Sequence, residues 1–162
     1  MTIRLLGPAD AGLYRELRLE ALARDSQAFA STLAAESTQP LSWFADRLAR
    51  SRTFGAFQGS ELTGTAAYVI QAGEKRRHKA TLVGMYVRPT ARHQGIGTRL
   101  VTVLIDDARR HVEILQLSVV TDNHQALRLY ERQGFVAYGV EKRSLKQGDR
   151  YDDEVLMAKR LD

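Results

Sequence analysis

Apolar residues recur every four positions after Gly97. Leu100, Leu104 and Ala108 form one row, and Val101 and Ile105 form a second beside it. Arg99, Thr102, Asp106 and Arg109 fall on the opposite face. This spacing predicts an amphipathic helix. Arg109, Arg110 and His111 stand at its end, where positive charge suits the negative pole. Leu13, Leu17 and Ala21 predict an earlier helix that starts near Pro8 or Asp10. Phe44 and Leu48 predict a second one after Pro40, with Ser42 as its cap. Between those helices, Phe29 to Gln39 reads as an irregular stretch of Ser, Thr and Ala.

Strand patterns fill most of the remainder. "TFGAF" and "ELTGTAAYVIQ" flank Gln58-Gly59-Ser60, which predicts a hairpin. "KATLVGMYV" predicts another strand, stopped by Pro89, which cannot donate to a ladder. "EILQLSVV" follows the amphipathic helix. Asp122 or Asn123 then caps a short helix that carries Ala126, Leu127 and Tyr130 and stops at Gly134. "FVAYGVE" and "DEVLMAKRL" are two closing strands joined by the polar "KRSLKQGDRYD". The predicted order is α-α-β-β-β-α-β-α-β-β. It implies an α/β fold with a mixed central sheet flanked by helices, parallel where a helix joins neighbouring strands near residues 80 to 120. No repeat or long linker divides residues 1–162, so one domain is expected.

Composition narrows the chemistry. With 44% hydrophobic and 27% charged residues, the chain fits a soluble globular protein. No apolar run nears the roughly 20 residues a membrane helix needs. The segment "MTIRLLGPAD" carries no export-signal pattern. There is no cysteine, which excludes disulfides, thiolate metal sites and cysteine nucleophiles. A cytoplasmic protein that does not engage membranes is the simplest expectation. No His-x-x-x-His pair or carboxylate cluster argues for a metal. The net charge of +5 favours anionic partners. The densest basic run, Glu74 to Lys79, reads as a solvated hairpin tip. No nucleic-acid-binding signature accompanies it, so no nucleic-acid partner is expected.

The most informative chemistry precedes the amphipathic helix, in "VRPTARHQGIGTRLV". A helix N-terminus exposes free N–H groups and partial positive charge, and anions bind there. Gly95 and Gly97 let an anion approach the backbone, Arg92 adds a cation, and His93 and Thr98 offer donors. Arg92 to Thr98, including Gln94 and Ile96, thus form a candidate pyrophosphate cradle, although the same glycines also suit a plain tight turn. A dinucleotide fingerprint does not fit, because Leu100 stands at its third glycine. A Walker loop does not fit either, because Thr65 and Ala66 follow Gly64.

A strand followed by R-x-x-G-x-G and a helix, here "MYVRPTARHQGIGTRLV", resembles the GNAT superfamily of N-acetyltransferases. "LSVVTDNHQALRLYERQGFV" resembles that superfamily's second hallmark. Together the two blocks cover Met85 to Val136. The resemblance implies a single-domain GNAT fold with splayed parallel strands. It implies acetyl-CoA as acetyl donor and an amine as acceptor, either a small molecule or a peptide N-terminus. Main-chain groups of Met85, Tyr86 and Val87 are expected to align the pantetheine arm and to stabilise the oxyanion. Amides from Arg92 to Thr98 are expected to wrap the pyrophosphate, and Asn123 and Ala126 to meet the arm. Tyr130 is expected to donate a proton to the departing thiolate, a role compatible with burying its ring on Phe135. Asn123 suits a helix cap equally well. Gly84 is expected at a bulge that splays the strands.

One departure stands out. Many members carry a glutamate on the strand before the loop, but Leu82, Val83 and Gly84 are here. His78, Glu36, Asp153 and Glu154 remain candidate bases, and a non-catalytic acyl-CoA sensor of the same fold is the alternative reading. Phe29 to Pro40 and "GDRYDDEVLM" are candidate acceptor walls. Dimers are frequent in the superfamily, and no segment here marks a subunit interface.

Overall fold

The computed structural model describes residues 1–162. Its chain order is β1 (Thr2–Leu5), α1 (Ala11–Arg24), α2 (Leu33–Ser37), α3 (Leu41–Arg50), β2 (Arg52–Gln58), β3 (Glu61–Ile70) and β4 (Lys79–Val87). Then come α4 (Ile96–Ala108), β5 (Ile114–Val120), α5 (His124–Arg132), β6 (Val136–Gln147) and β7 (Arg150–Arg160). The strands form one seven-stranded sheet in the order β1-β2-β3-β4-β5-β7-β6. Every neighbouring pair is antiparallel except β4 with β5. That exception is where a helix joins sequential strands, as a parallel connection requires.

Alternating side chains on the strands place one core on each face of the sheet. Ala66 and Tyr68 of β3 and Ala80 and Leu82 of β4 meet Leu100, Val101 and Leu104 of α4. Those three α4 residues are fully buried, and each contributes about 2 kcal/mol of apolar burial. On the other face, Tyr14, Leu17 and Ala21 of α1 and Phe44 and Leu48 of α3 pack with Phe57, Leu62 and Tyr86. Arg52 forks onto Asp107 of α4, and the Tyr68 hydroxyl donates to the same carboxylate at 2.6 Å. The polar end of a core tyrosine is thereby satisfied.

Gly84 breaks the alternation of β4. Thr65 pairs with Tyr86 and Ala67 with Val83, so Ala66 opposes two residues of β4. Gly84 has φ of +65°, which glycine adopts without steric cost. Ala80 and Leu82 face α4, yet Tyr86, of the same parity, faces α1. The expected bulge is present, and it turns Tyr86 through the sheet.

Several expectations need revision. Strand β1 has no counterpart among the predicted elements. It is a four-residue edge strand held by pairing with β2, and Arg4 is tied to Asp10. The stretch expected to be irregular contains α2, capped by Thr32, whose oxygen accepts from the Ala35 amide at 3.1 Å. Ser42 does not cap α3. Pro40 holds that position, and Ser42 lies inside the first turn. The polar "KRSLKQGDRYD" is mostly strand, because β6 and β7 extend until only Gly148 and Asp149 turn between them.

Candidate active site

Strands β4 and β5 pair only from Lys79 to Thr81 with Ile114 to Gln116. Beyond that they diverge. β5 stays paired to β7 as far as Val120, and β4 stays paired to β3 as far as Val87. The facing edges are therefore left open, and a cleft of about 620 Å³ runs from them to the head of α4.

The cleft is lined by Met85, Tyr86, Val87, Arg92, His93, Gly95, Ile96, Gly97, Thr98, Asn123 and Ala126. Two further candidates stand elsewhere. The Gln94 amide oxygen accepts from Gln58 at 2.9 Å, so this side chain turns toward the β2–β3 hairpin. Tyr130 is buried and absent from the lining. Arg128 and Arg132 also line the cleft, one helical turn apart on α5. The motif did not single them out, although their four-residue spacing places them on one helix face.

The loop before α4 presents a run of unused donors. The Arg92 amide reaches Pro89 O at 3.4 Å, and the Arg99 amide bonds Gly95 O at 3.1 Å. Between them, the amides of His93 to Thr98 have no acceptor in the protein. His93 at φ +62° and Gly95 at φ +75° turn this backbone inward. Alternating handedness of this kind makes an anion-binding concavity. Gly97 matters for packing, since a Cβ there would come within 2.9 Å of the Met85 methyl. Arg92 is partly engaged: its Nε donates to Val87 O at 2.9 Å and one Nη to Asp25 at 3.0 Å. Only its remaining Nη1 edge is open to an anion.

Helix α5 fixes the two remaining candidates. Asn123 caps it, accepting from the Ala126 amide at 3.2 Å. At the other end, Gly134 takes φ +91° and the Phe135 amide bonds Tyr130 O at 3.0 Å. This helix stop carries its usual apolar contact, because Phe135 meets the Tyr130 ring edge-on at 5.7 Å. Burial alone pushes the Tyr130 phenol well above the ordinary tyrosine value and keeps it protonated.

Across β4 lies a second cavity of about 270 Å³, between α1, α3 and the β3–β4 face. Tyr86 and Phe29 line it, and Tyr86 borders both spaces. The Tyr86 hydroxyl donates to Glu20 at 2.9 Å, and Arg88 donates to the other Glu20 oxygen at 3.0 Å. Burial, then Glu20, pushes the Tyr86 phenol up to about 12. Nearby, the ribbon tip reaches the α1–α2 loop through Arg150 and Gln27 at 3.1 Å.

The four candidate bases line neither cavity. His78 sits at the closed end of the sheet, where its carbonyl accepts from Glu113. Glu36 is buried, which pushes its carboxyl up, but the Arg18 fork, a hydrogen bond from Ser31 and the Arg47 charge together hold it below the usual range. Asp153 is bound by Lys142 at 3.2 Å and by the Arg143 amide. Glu154 accepts from Ser144.

Residues 15–135 match the acetyltransferase (GNAT) family. The ribosomal protein bS18-alanine N-acetyltransferase of Escherichia coli K12 is 35% identical over 81 residues, which cover 49% of this chain and 55% of that relative. The chain thus spans about half the length of the curated relatives it matches. The ribosomal-protein-alanine N-acetyltransferase from Brucella melitensis superposes with a TM-score of 0.83 at 26% identity, over 99% of both chains. The yncA protein of Salmonella typhimurium, solved with its cofactor acetyl-CoA, gives 0.85 at 24% identity, over 100% of this chain and 94% of that one. The splayed strands, the free amides ahead of α4 and the family match over most of the chain agree: this protein belongs to the acetyltransferase (GNAT) family.

Proposed function

We propose that this chain is an acetyl-CoA-dependent N-acetyltransferase acting on a primary amine. The observation that carries the reading is the run of unpartnered amides from His93 to Thr98 at the mouth of the open cleft. These donors, the head of α4, and the cations Arg128 and Arg132 fit a pyrophosphate. The free edge of Met85 to Val87 fits an extended amide-bearing arm, added as though it were a strand.

Bound acetyl-CoA supplies a thioester: the amine nitrogen forms the new C–N bond, the C–S bond breaks, and the sulfur leaves as a thiolate that needs a proton. Tyr130 holds that proton, because burial keeps its phenol protonated. Main-chain N–H groups at the bulge stabilise charge gathering on the carbonyl oxygen. None of the four candidate bases lines either cavity; Asp25, which is paired with Arg92, and His93 of the anion loop border the cleft, and Asp46 borders the second cavity. In this reading the acceptor enters as the neutral amine. A peptide N-terminus is one acceptor class that the relatives' names suggest.

Calorimetry with acetyl-CoA and thiol release across an amine panel test this. Micromolar binding with turnover supports the reading. Binding without turnover of any amine makes the protein an acyl-CoA sensor, and no binding at millimolar acetyl-CoA removes both.

A further inference from the structure

The cavity on the α1 side of β4 has the charge of an anion site. Three of its four aromatic walls, Phe29, Trp43 and Tyr86 but not Tyr14, already carry a guanidinium over one face, which disfavours a further ammonium group there. Arg18 lies 5.1 Å from the Phe29 ring centre, Arg47 5.5 Å from Trp43 and Arg92 5.6 Å from Tyr86. Arg18, Arg47 and Arg50 all line the space. Against them stand Glu36, behind the wall, and Asp46, which lines the space and enters no ion pair. Glu36 gives both oxygens to Arg18 at 2.9 and 2.8 Å and is 3.8 Å from Arg47. One carboxylate thus serves two cations, and Arg50 enters no ion pair. The balance is one net positive charge facing a space of the size a small metabolite needs.

The cavity also has a direction. Gly84 and Tyr86 mark the end beside the splayed strands, while Arg50, Ser51 and Thr53 mark the other. Thr65 pairs with Tyr86, and Thr53 pairs with Ala67. Two residues of strand therefore separate the ends along β3, about 7 Å.

We infer that the acceptor is an anionic amine, its nitrogen at the Gly84–Tyr86 end and its carboxylate or phosphate held by Arg47 and Arg50. This rests on the acetyltransferase reading and names the substrate class of that site. The anion reaches it from a free amino acid or from an acidic peptide N-terminus, and two arms separate these sources.

In the first arm, thiol release from acetyl-CoA is compared for 5-aminopentanoate and pentylamine. In the second it is compared for the C-terminally amidated dipeptides Ala-Glu-amide and Ala-Gln-amide. The expected result is a preference of about tenfold or more in kcat/KM for the anionic member of at least one pair, expressed in KM. Arg50→Gln and Arg47→Gln should each reduce that preference several-fold, with acetyl-CoA affinity by calorimetry unchanged. Equal or better use of the uncharged or cationic members overturns the inference. So does a preference that survives both substitutions, or acetyl-CoA binding with none of the four amines acetylated. Failure of the wild-type chain to bind acetyl-CoA is a different result, which defeats the acetyltransferase reading itself.

Discussion

Tyr130 is held at three points: its carbonyl by the Phe135 amide, its ring by Phe135, and its helix by Asn123 at the far end. Its hydroxyl is the part that the proposed proton transfer uses. Tyr130→Phe keeps the ring packing and removes the proton. We expect kcat to fall about 10²–10³-fold, with acetyl-CoA affinity unchanged, in steady-state kinetics paired with calorimetry. Burial raises the folded phenol, so the protonated form persists above pH 10. A wild-type pH–rate profile should rise toward the acceptor amine's own pKa and show no falling limb near the ordinary tyrosine value of about 10. Asp107 tests a different residue-scale role. Arg52 first, then Tyr68, holds its carboxyl below the usual range against the opposing effect of burial. A depressed carboxylate contributes stability above its unfolded value, near pH 4, and loses it as pH falls through the folded value. Asp107→Ala leaves Arg52 and the Tyr68 hydroxyl unpaired. Urea titration should show a loss of about 1–3 kcal/mol at pH 7, chiefly from the buried Tyr68 hydroxyl, since partly exposed Arg52 regains water, and a flatter response to acid below pH 4.

At the scale of elements, the head of α4 depends on a backbone that only some residues accept. Gly95 begins the helix at φ +75°, and a Cβ added there would have nothing within 4 Å, so a substitution meets conformational cost alone. Gly95→Ala should cost about 1–2 kcal/mol and weaken acetyl-CoA binding. Gly95→Asn should recover most of both, because Asn tolerates the left-handed region; thermal melts and calorimetry on the pair decide it. Elements with strong local patterns were readable in the sequence. Helix α4 has its two apolar rows, and β4 has β-branched residues and a closing proline. Strand β1 was not readable, since four residues without a buried face have no signal apart from their partner β2. The β6–β7 ribbon runs longer than its apolar pattern, because its outer half is solvated and its register comes from cross-strand pairing rather than burial.

Across the whole molecule, the cleft at the head of α4 was legible in the sequence, and of the cavity across β4 only Phe29, within the expected wall from Phe29 to Pro40, was. Residues 85–98 are contiguous, and backbone conformation within one short segment makes their chemistry. The cavity across β4 draws on residues from Tyr14 to Tyr86 across α1, α3, β3 and β4, and its charge balance exists only once those elements pack. The same division predicts a hydrogen-exchange result. Amides 93–98 should exchange rapidly in the free protein and slow markedly with acetyl-CoA, while interior α4 amides, already bonded, should change little.

The bulge at Gly84 also carries a counting rule. Everything after it on β4 is displaced by one step, so the strand hands an aromatic ring to α1 and sends Met85 toward α4. Deleting that single residue would restore plain alternation and keep their sides, because Val83 already faces α1, Met85 α4 and Tyr86 α1; straightening the strand with Gly84 retained would instead exchange them, setting a thioether in place of the phenol opposite Glu20 and driving the ring against Gly97. The extra residue is thus spare for alternation, and it is the bulged conformation that keeps the ring and the thioether on their own sides.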